Sequence, residues 1–175
     1  VSRSFSSEIY NLNQLQEQIA NFAATMAEKL RKQHSVTAEV VVFAYTNRFK
    51  ESEPQRYANS LVSFTTPTAD ARTIITQAVR ATKSMYQSGY GYKKAGVIAT
   101  KIGDENSVMH SLFEDRESLE REHRLTTVLD TINSTFGKGT IKLAVQGSGK
   151  IKSLSDNQSP HYTTLWSDIP TVTVK

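Results

Sequence analysis

Ala38-Glu39-Val40-Val41-Val42-Phe43-Ala44-Tyr45 is the stretch on which the fold turns. It is dense in valine and aromatics, the composition of a central strand with little exposure. Upstream, residues 3–5 read as a short semi-alternating strand that Ser6 and Ser7 break. Asn13, with Gln16 three residues on, has the look of a capping box. Behind it Leu15, Ile19, Phe22, Met26 and Leu30 recur at helical spacing, which predicts an amphipathic helix over 14–33. Glu17, Glu28, Lys29 and Lys32 fall on its opposite face and read as a solvated side.

Downstream of the central strand, residues 47–57 form a charged hairpin-like loop containing Pro54. Residues 60–65 alternate, with Val62 and Phe64 on one side and Ser63 and Thr65 on the other. Pro67 and Thr68 open a second helix, whose stripe of Ile74, Ala78, Ala81 and Met85 is widened by Ile75 and Val79. Gly89 and Gly91 stop it, and residues 92–102 make the last strand. The order strand, helix, strand, strand, helix, strand predicts an α+β fold. It is a four-stranded antiparallel sheet with two helices on one face, the split βαβ layout. The other sheet face has no helices to cover it, so it is solvated or binds something.

The character changes after residue 102. Asp104, Glu105, Glu114, Asp115, Glu117, Glu120 and Glu122 make residues 103–123 an acidic tether with one apolar island at Met109, Leu112 and Phe113. Leu125, Val128, Leu129 and Ile132 mark a short helix ended by Gly137. Residues 140–145 resemble a strand, and Gly147-Ser148-Gly149 a turn. The division is therefore 1–102, 103–123 and a small C-terminal α/β extension over 124–175.

With 175 residues and 38% hydrophobic content, the chain supports one ordinary domain and a thinner appendage. Lys and Arg number 21 against 17 Asp and Glu, a net charge of +4 that suits a polyanionic partner without requiring one. The absence of cysteine removes disulfides, thiolate catalysis and cysteine zinc sites, and is compatible with a reducing cytoplasm. No run approaches a membrane span and no signal peptide opens the chain. The start at Val1 without an initiator Met suggests a part of something longer.

Catalytic patterns are missing. Gly149-Lys150 has Ala144 where a phosphate loop needs glycine and Ile151 where it needs a hydroxyl, and in Gly137-Lys138-Gly139-Thr140 a glycine follows the lysine. His34, His110, His123 and His161 are scattered without metal-ligand spacing. A two-metal nucleotidyl-transfer site needs carboxylates on rigid strand ends, and Glu39 is the only acid on a predicted strand. No active site, metal or cofactor is expected in this chain. The basic residues point elsewhere: Arg3 on the first strand, Arg48, Lys50 and Arg56 on the hairpin loop, and Lys93, Lys94 and Lys101 on the last strand. The split βαβ order brings these segments to the helix-free face and its edges. There Ser2, Ser4, Ser63 and Thr65 interleave as small hydroxyl donors. The pattern alone fits a phosphate-gripping face or a plainly charged surface equally.

Several short motifs in register carry a resemblance. Ser2-Arg3-Ser4-Phe5, Val40-Val41-Val42-Phe43, Tyr57-Ala58-Asn59-Ser60, Thr66-Pro67-Thr68 with Asp70 and Arg72, and Tyr92-Lys93-Lys94-Ala95-Gly96-Val97 resemble the little finger of UmuC-type Y-family translesion DNA polymerases. Val128-Leu129-Asp130-Thr131-Ile132-Asn133, Gly137-Lys138-Gly139-Thr140 and Ser159-Pro160-His161-Tyr162-Thr163-Thr164 resemble that family's C-terminal extension. The resemblance implies a little-finger domain that lies in the DNA major groove and grips primer-template DNA through both backbones. The catalytic carboxylates and Mg belong to other domains of such a polymerase. It also implies error-prone synthesis in the SOS response with a UmuD′-like subunit and RecA, in a bacterial cytoplasm beside the nucleoid. Such proteins carry a sliding-clamp peptide, roughly Gln-Leu-Xaa-Leu-Phe. The equivalent here is Met109-His110-Ser111-Leu112-Phe113, which keeps Leu-Phe and lacks the leading Gln and the second Leu. The rival reading of the pair is docking on this chain's own surface. The rival reading of the whole is a non-catalytic protein-interaction module that binds no DNA.

Overall fold

The computed structural model describes residues 1–108 and 116–147, together with Ile169 and Val172. Strands β1 (Ser2–Ile9), β2 (Ser35–Thr46), β3 (Tyr57–Thr68) and β4 (Tyr92–Asp104) form one antiparallel sheet in the order β1-β4-β2-β3. Helix α1 (Leu12–Lys32) joins β1 to β2, and α2 (Ala71–Met85) joins β3 to β4. Each crossover is split by one inserted strand: β4 lies between β1 and β2, and β2 between β3 and β4. This is the expected α+β layout.

Cross-strand register explains which face the helices cover. Val40 stands opposite Val62 and Ala99, Val42 opposite Ser60 and Val97, and Ala44 opposite Ala58 and Ala95. Onto this face α1 presents Leu15, Ile19, Phe22, Met26 and Leu30, and α2 presents Ile74, Ile75, Ala78, Ala81 and Met85, all buried in one core with Phe5, Ile9 and Tyr92. Burying a side chain such as Ile19 or Ile74 contributes about 1.5–3 kcal/mol. Where the pairing of β2 with β3 slips between Thr37 and Glu39, the buried Thr37 hydroxyl lies 2.7 Å from both the Glu39 and Thr100 carbonyls.

Several boundaries differ from the sequence expectation. The serines do not end β1; its pairing with β4 shifts between Ser4 and Ile9, and Phe5 and Ile9, four residues apart and so on one face, both reach the core. α1 is capped by Asn11, not Asn13: its Oδ1 accepts from the Asn13 and Gln14 backbone N–H groups at 2.8 and 3.4 Å. β3 continues through Pro67, which an edge strand tolerates. α2 starts only after Asp70, whose carboxylate accepts from Thr73 N–H at 2.7 Å.

The segment 103–123 is not wholly a tether. β4 runs to Asp104, a 3-10 turn spans Glu105–Ser107, and Glu105 is pinned to the end of α1 by its N–H to the His34 carbonyl and its carboxylate to His34 Nδ1 at 2.7 Å. Helix α3 (Arg116–Phe136) begins well before Leu125. The strand expected over 140–145 does not form. The Asn133 side chain takes both backbone groups of Ile141, at 2.9 and 3.1 Å, so a neighbouring strand has nothing to pair with there. Residues Ala144–Gln146 then turn as a 3-10 helix. Among the described residues the C-terminal extension is thus helical rather than α/β.

α3 and this turn dock on the helix side. Arg31 grips Asp130 with two bonds of 2.6 and 2.7 Å and donates a third to the Ala69 carbonyl. Thr126 donates to the Asp70 carboxylate, and the Asn21 and Gln146 groups bond each other twice. The polar side of α1 is therefore partly a docking surface, not simply a solvated one.

Candidate nucleic-acid interface

The helix-free face is laid out in rows by the same register. One row runs Ser4, Lys94, Tyr45, Tyr57; the next Ser2, Gly96, Phe43, Asn59; then Ile98, Val41, Leu61; and last Thr100, Glu39, Ser63. The aromatic side chains form a ladder, with ring centroids 6.2 Å apart for Phe43 and Tyr45 and 6.0 Å for Tyr45 and Tyr57. Gly96 is required beside it, because a Cβ there would meet Ser2 Cβ, the Val1 carbonyl at 2.7 Å and the Phe43 ring at 2.9 Å.

Two of the predicted cations converge on this ladder. The Arg48 guanidinium sits 5.3 Å from the Tyr45 ring centroid and the Lys94 ammonium 5.9 Å from it, a cation–π arrangement that parks positive charge on the open face. Neither carries an ion pair among the described residues. Ser4 stands directly across from Lys94 on the edge strand.

The other predicted residues are placed differently. Arg3 pairs with Ala95, so it lies on the helix side of the sheet rather than the open side. Arg56 turns toward α2: it donates to the Met85 carbonyl at 3.2 Å, covers the Tyr90 ring, and its Nε is buried without a hydrogen bond. Lys93 falls at the irregularity of β4 and donates to the Ser6 carbonyl at 3.0 Å. Lys101 is tied to Glu39 at 2.6 Å. Lys50 bridges Glu8 at 3.0 Å and Glu53 at 2.8 Å; their bonds hold its ammonium well above the ordinary lysine range. In return the Lys50 bond holds Glu8 below the usual carboxylate range. The clamp-like residues Met109, His110, Ser111, Leu112 and Phe113 lie outside the described residues.

Sequence reasoning missed the ladder itself, the apolar row Val41, Leu61 and Ile98, and Phe49 in the hairpin loop. The signal was the spacing of Phe43 and Tyr45, two residues apart and so on one face, but a strand dense in apolar residues reads as buried on both faces. Among the described residues, no group of three or more His, Asp or Glu side chains could share a metal ion, and no helix is long and apolar enough to cross a membrane.

Fold and face together define a two-layer α+β domain with an open, cation-bearing aromatic sheet. The chain belongs to the impB/mucB/samB family: that family's C-terminal domain matches residues 1–112, and a domain of unknown function (DUF4113) matches residues 123–172. It is 32% identical to Protein UmuC of Salmonella typhimurium over 96% of its own length, and 34% identical to Protein MucB of Escherichia coli over all of it. Protein SamB of Salmonella typhimurium is 34% identical over 97% of this chain. The chain spans about two fifths of each relative, 40% or 41%. A solved complex of beta-clamp processivity factor and the little finger domain of PolIV matches 66% of this chain and 92% of its own, at 15% identity and a TM-score of 0.42.

Proposed function

We propose that this chain is the DNA-gripping little finger and C-terminal region of a UmuC-type, error-prone Y-family polymerase. The observation that carries the reading is the pair Arg48 and Lys94 on the open sheet face, beside Ser2, Ser4 and Asn59 as small polar donors. Lysine and arginine neutralise phosphates without reading sequence, and the small side chains around them let a backbone come close. The family's whole activity is proposed with it: Mg-dependent synthesis across lesions on other domains, a UmuD′-like subunit and RecA as partners, and a place in the bacterial cytoplasm beside the nucleoid. Residues 109–113 are proposed to dock weakly on the sliding clamp through Leu112 and Phe113, supported by the Leu-Phe end of the motif alone.

The test is primer-template binding at several salt concentrations. Replacing Arg48 and Lys94 together by alanine should weaken binding for all sequences alike and reduce the salt slope by roughly 2, about one per phosphate contact. An unchanged slope refutes the assignment. One observation favours the second reading, a protein-docking sheet: Leu61 and Ile98 are 58% and 48% exposed in the middle of the face. In that case the chain binds no DNA with salt sensitivity, and the double substitution changes nothing.

A further inference from the structure

The β2–β3 loop is built to hold one aromatic side chain in water. Phe49 is 96% exposed, more than any other large apolar residue among those described. Its surroundings are nevertheless fixed. The Asn47 side chain accepts from Phe49 N–H at 3.2 Å, and Lys50 N–H returns to the Asn47 carbonyl. The Gln55 side-chain amide donates to three loop carbonyls, Asn47, Lys50 and Glu53, within 2.9–3.1 Å. The Lys50 ammonium pins the loop to β1 through Glu8. A solvated loop has no need of such bracing, and a phenylalanine in water contributes nothing to the core.

Its neighbours say what it suits. Arg48, next in the chain, covers Tyr45 on the open face, and Tyr57, 55% exposed, closes the same end of the ladder. Cations interleaved with exposed rings match single-stranded nucleic acid, whose bases stack on aromatics while its phosphates meet the cations. A duplex keeps its base faces covered and offers such rings nothing.

We propose that the hairpin end of the open face is a stacking site for unpaired bases, with Phe49 and Tyr57 as the platforms and Arg48 and Lys94 on the flanking phosphates. This rests on the nucleic-acid reading above and specifies the single strand beside the duplex as its ligand. The probes are an oligothymidylate of 15 residues, an abasic strand of the same length, and a blunt duplex, at one salt concentration. Wild type should bind oligothymidylate more tightly than the abasic strand. Phe49→Ala should lose roughly 5- to 150-fold on oligothymidylate, the range for one stacked base, with an unchanged salt slope. The same substitution should alter duplex and abasic binding less than about 2-fold, and Phe49→Tyr should restore most of the loss. Equal binding of wild type to oligothymidylate and abasic strand overturns the stacking site while leaving phosphate gripping intact. Equal losses on all three probes overturn it as well. If none of the probes binds, the nucleic-acid reading falls and this site with it.

Discussion

At the scale of single residues, Lys50 shows how a cation is withdrawn from a binding face. Its ammonium is held by Glu8 and Glu53, and the carboxyl of Glu8 is pulled down chiefly by the bond from Lys50, with burial opposing and Tyr10 assisting. A carboxyl depressed by folding contributes stability above its unfolded pKa, here near 4.5, and loses it as the pH falls through the folded value. Lys50→Met removes that bond and leaves burial, which pushes Glu8 the other way. Between pH 6 and pH 3 the wild type should therefore lose more melting temperature than Lys50→Met, as thermal unfolding followed by circular dichroism would show. An equal acid sensitivity would remove Glu8 from the account. Lys50 and Arg48 are two residues apart and equally basic in the sequence, yet one is neutralised and the other faces open water over a ring. The carboxylates of Glu53, in the same loop, and Glu8, on β1, make that difference.

Among elements, the helices were the most legible part, because their apolar stripes at 3.6-residue spacing commit a whole face at once. Their ends were not. Asn11 and Asn13 are equally good caps by type, and the choice depends on where β1 stops, which its irregular pairing decides. Residues 140–145 carry strand-like composition, but a strand needs a partner, and the Asn133 amide reaches Ile141 first. Asp70 is where the element boundaries become testable. One carboxylate oxygen caps α2 through Thr73 and the other receives Thr126 from α3. Asp70→Ala should cost roughly 1–2 kcal/mol in urea unfolding, at the upper end for a lost cap because the α3 contact goes too. Asp70→Asn, which keeps an acceptor, should recover most of it. No difference between the two would mean that the cap contributes little.

For the molecule as a whole, strand order foretold a bare sheet face, while its occupants depended on register. A one-residue step moves a side chain to the opposite face, which is why Ser4 lies on the open side and Arg3 beside it does not. The sequence suggested a face of serines and lysines; the structure adds a central apolar row. That row gives a direct trial of the nucleic-acid reading. Leu61 is exposed and at the middle of the face, so Leu61→Lys should leave stability within about 0.5 kcal/mol. Against primer-template DNA it should tighten binding and steepen the salt slope by roughly 1. A weaker complex would mean that the row itself is an apolar contact.

The Gln55 brace has a consequence for how the hairpin moves. Two amide hydrogens are shared among three carbonyls, so one side chain ties the loop's turns to one another, beside the bonds that Asn47 and Lys50 supply. Such a loop opens as a unit or not at all, with no half-released forms between. Amide protons across residues 47–55 should then exchange with solvent at a common opening rate. Losing the single amide of Gln55 would turn a two-position switch into a continuum.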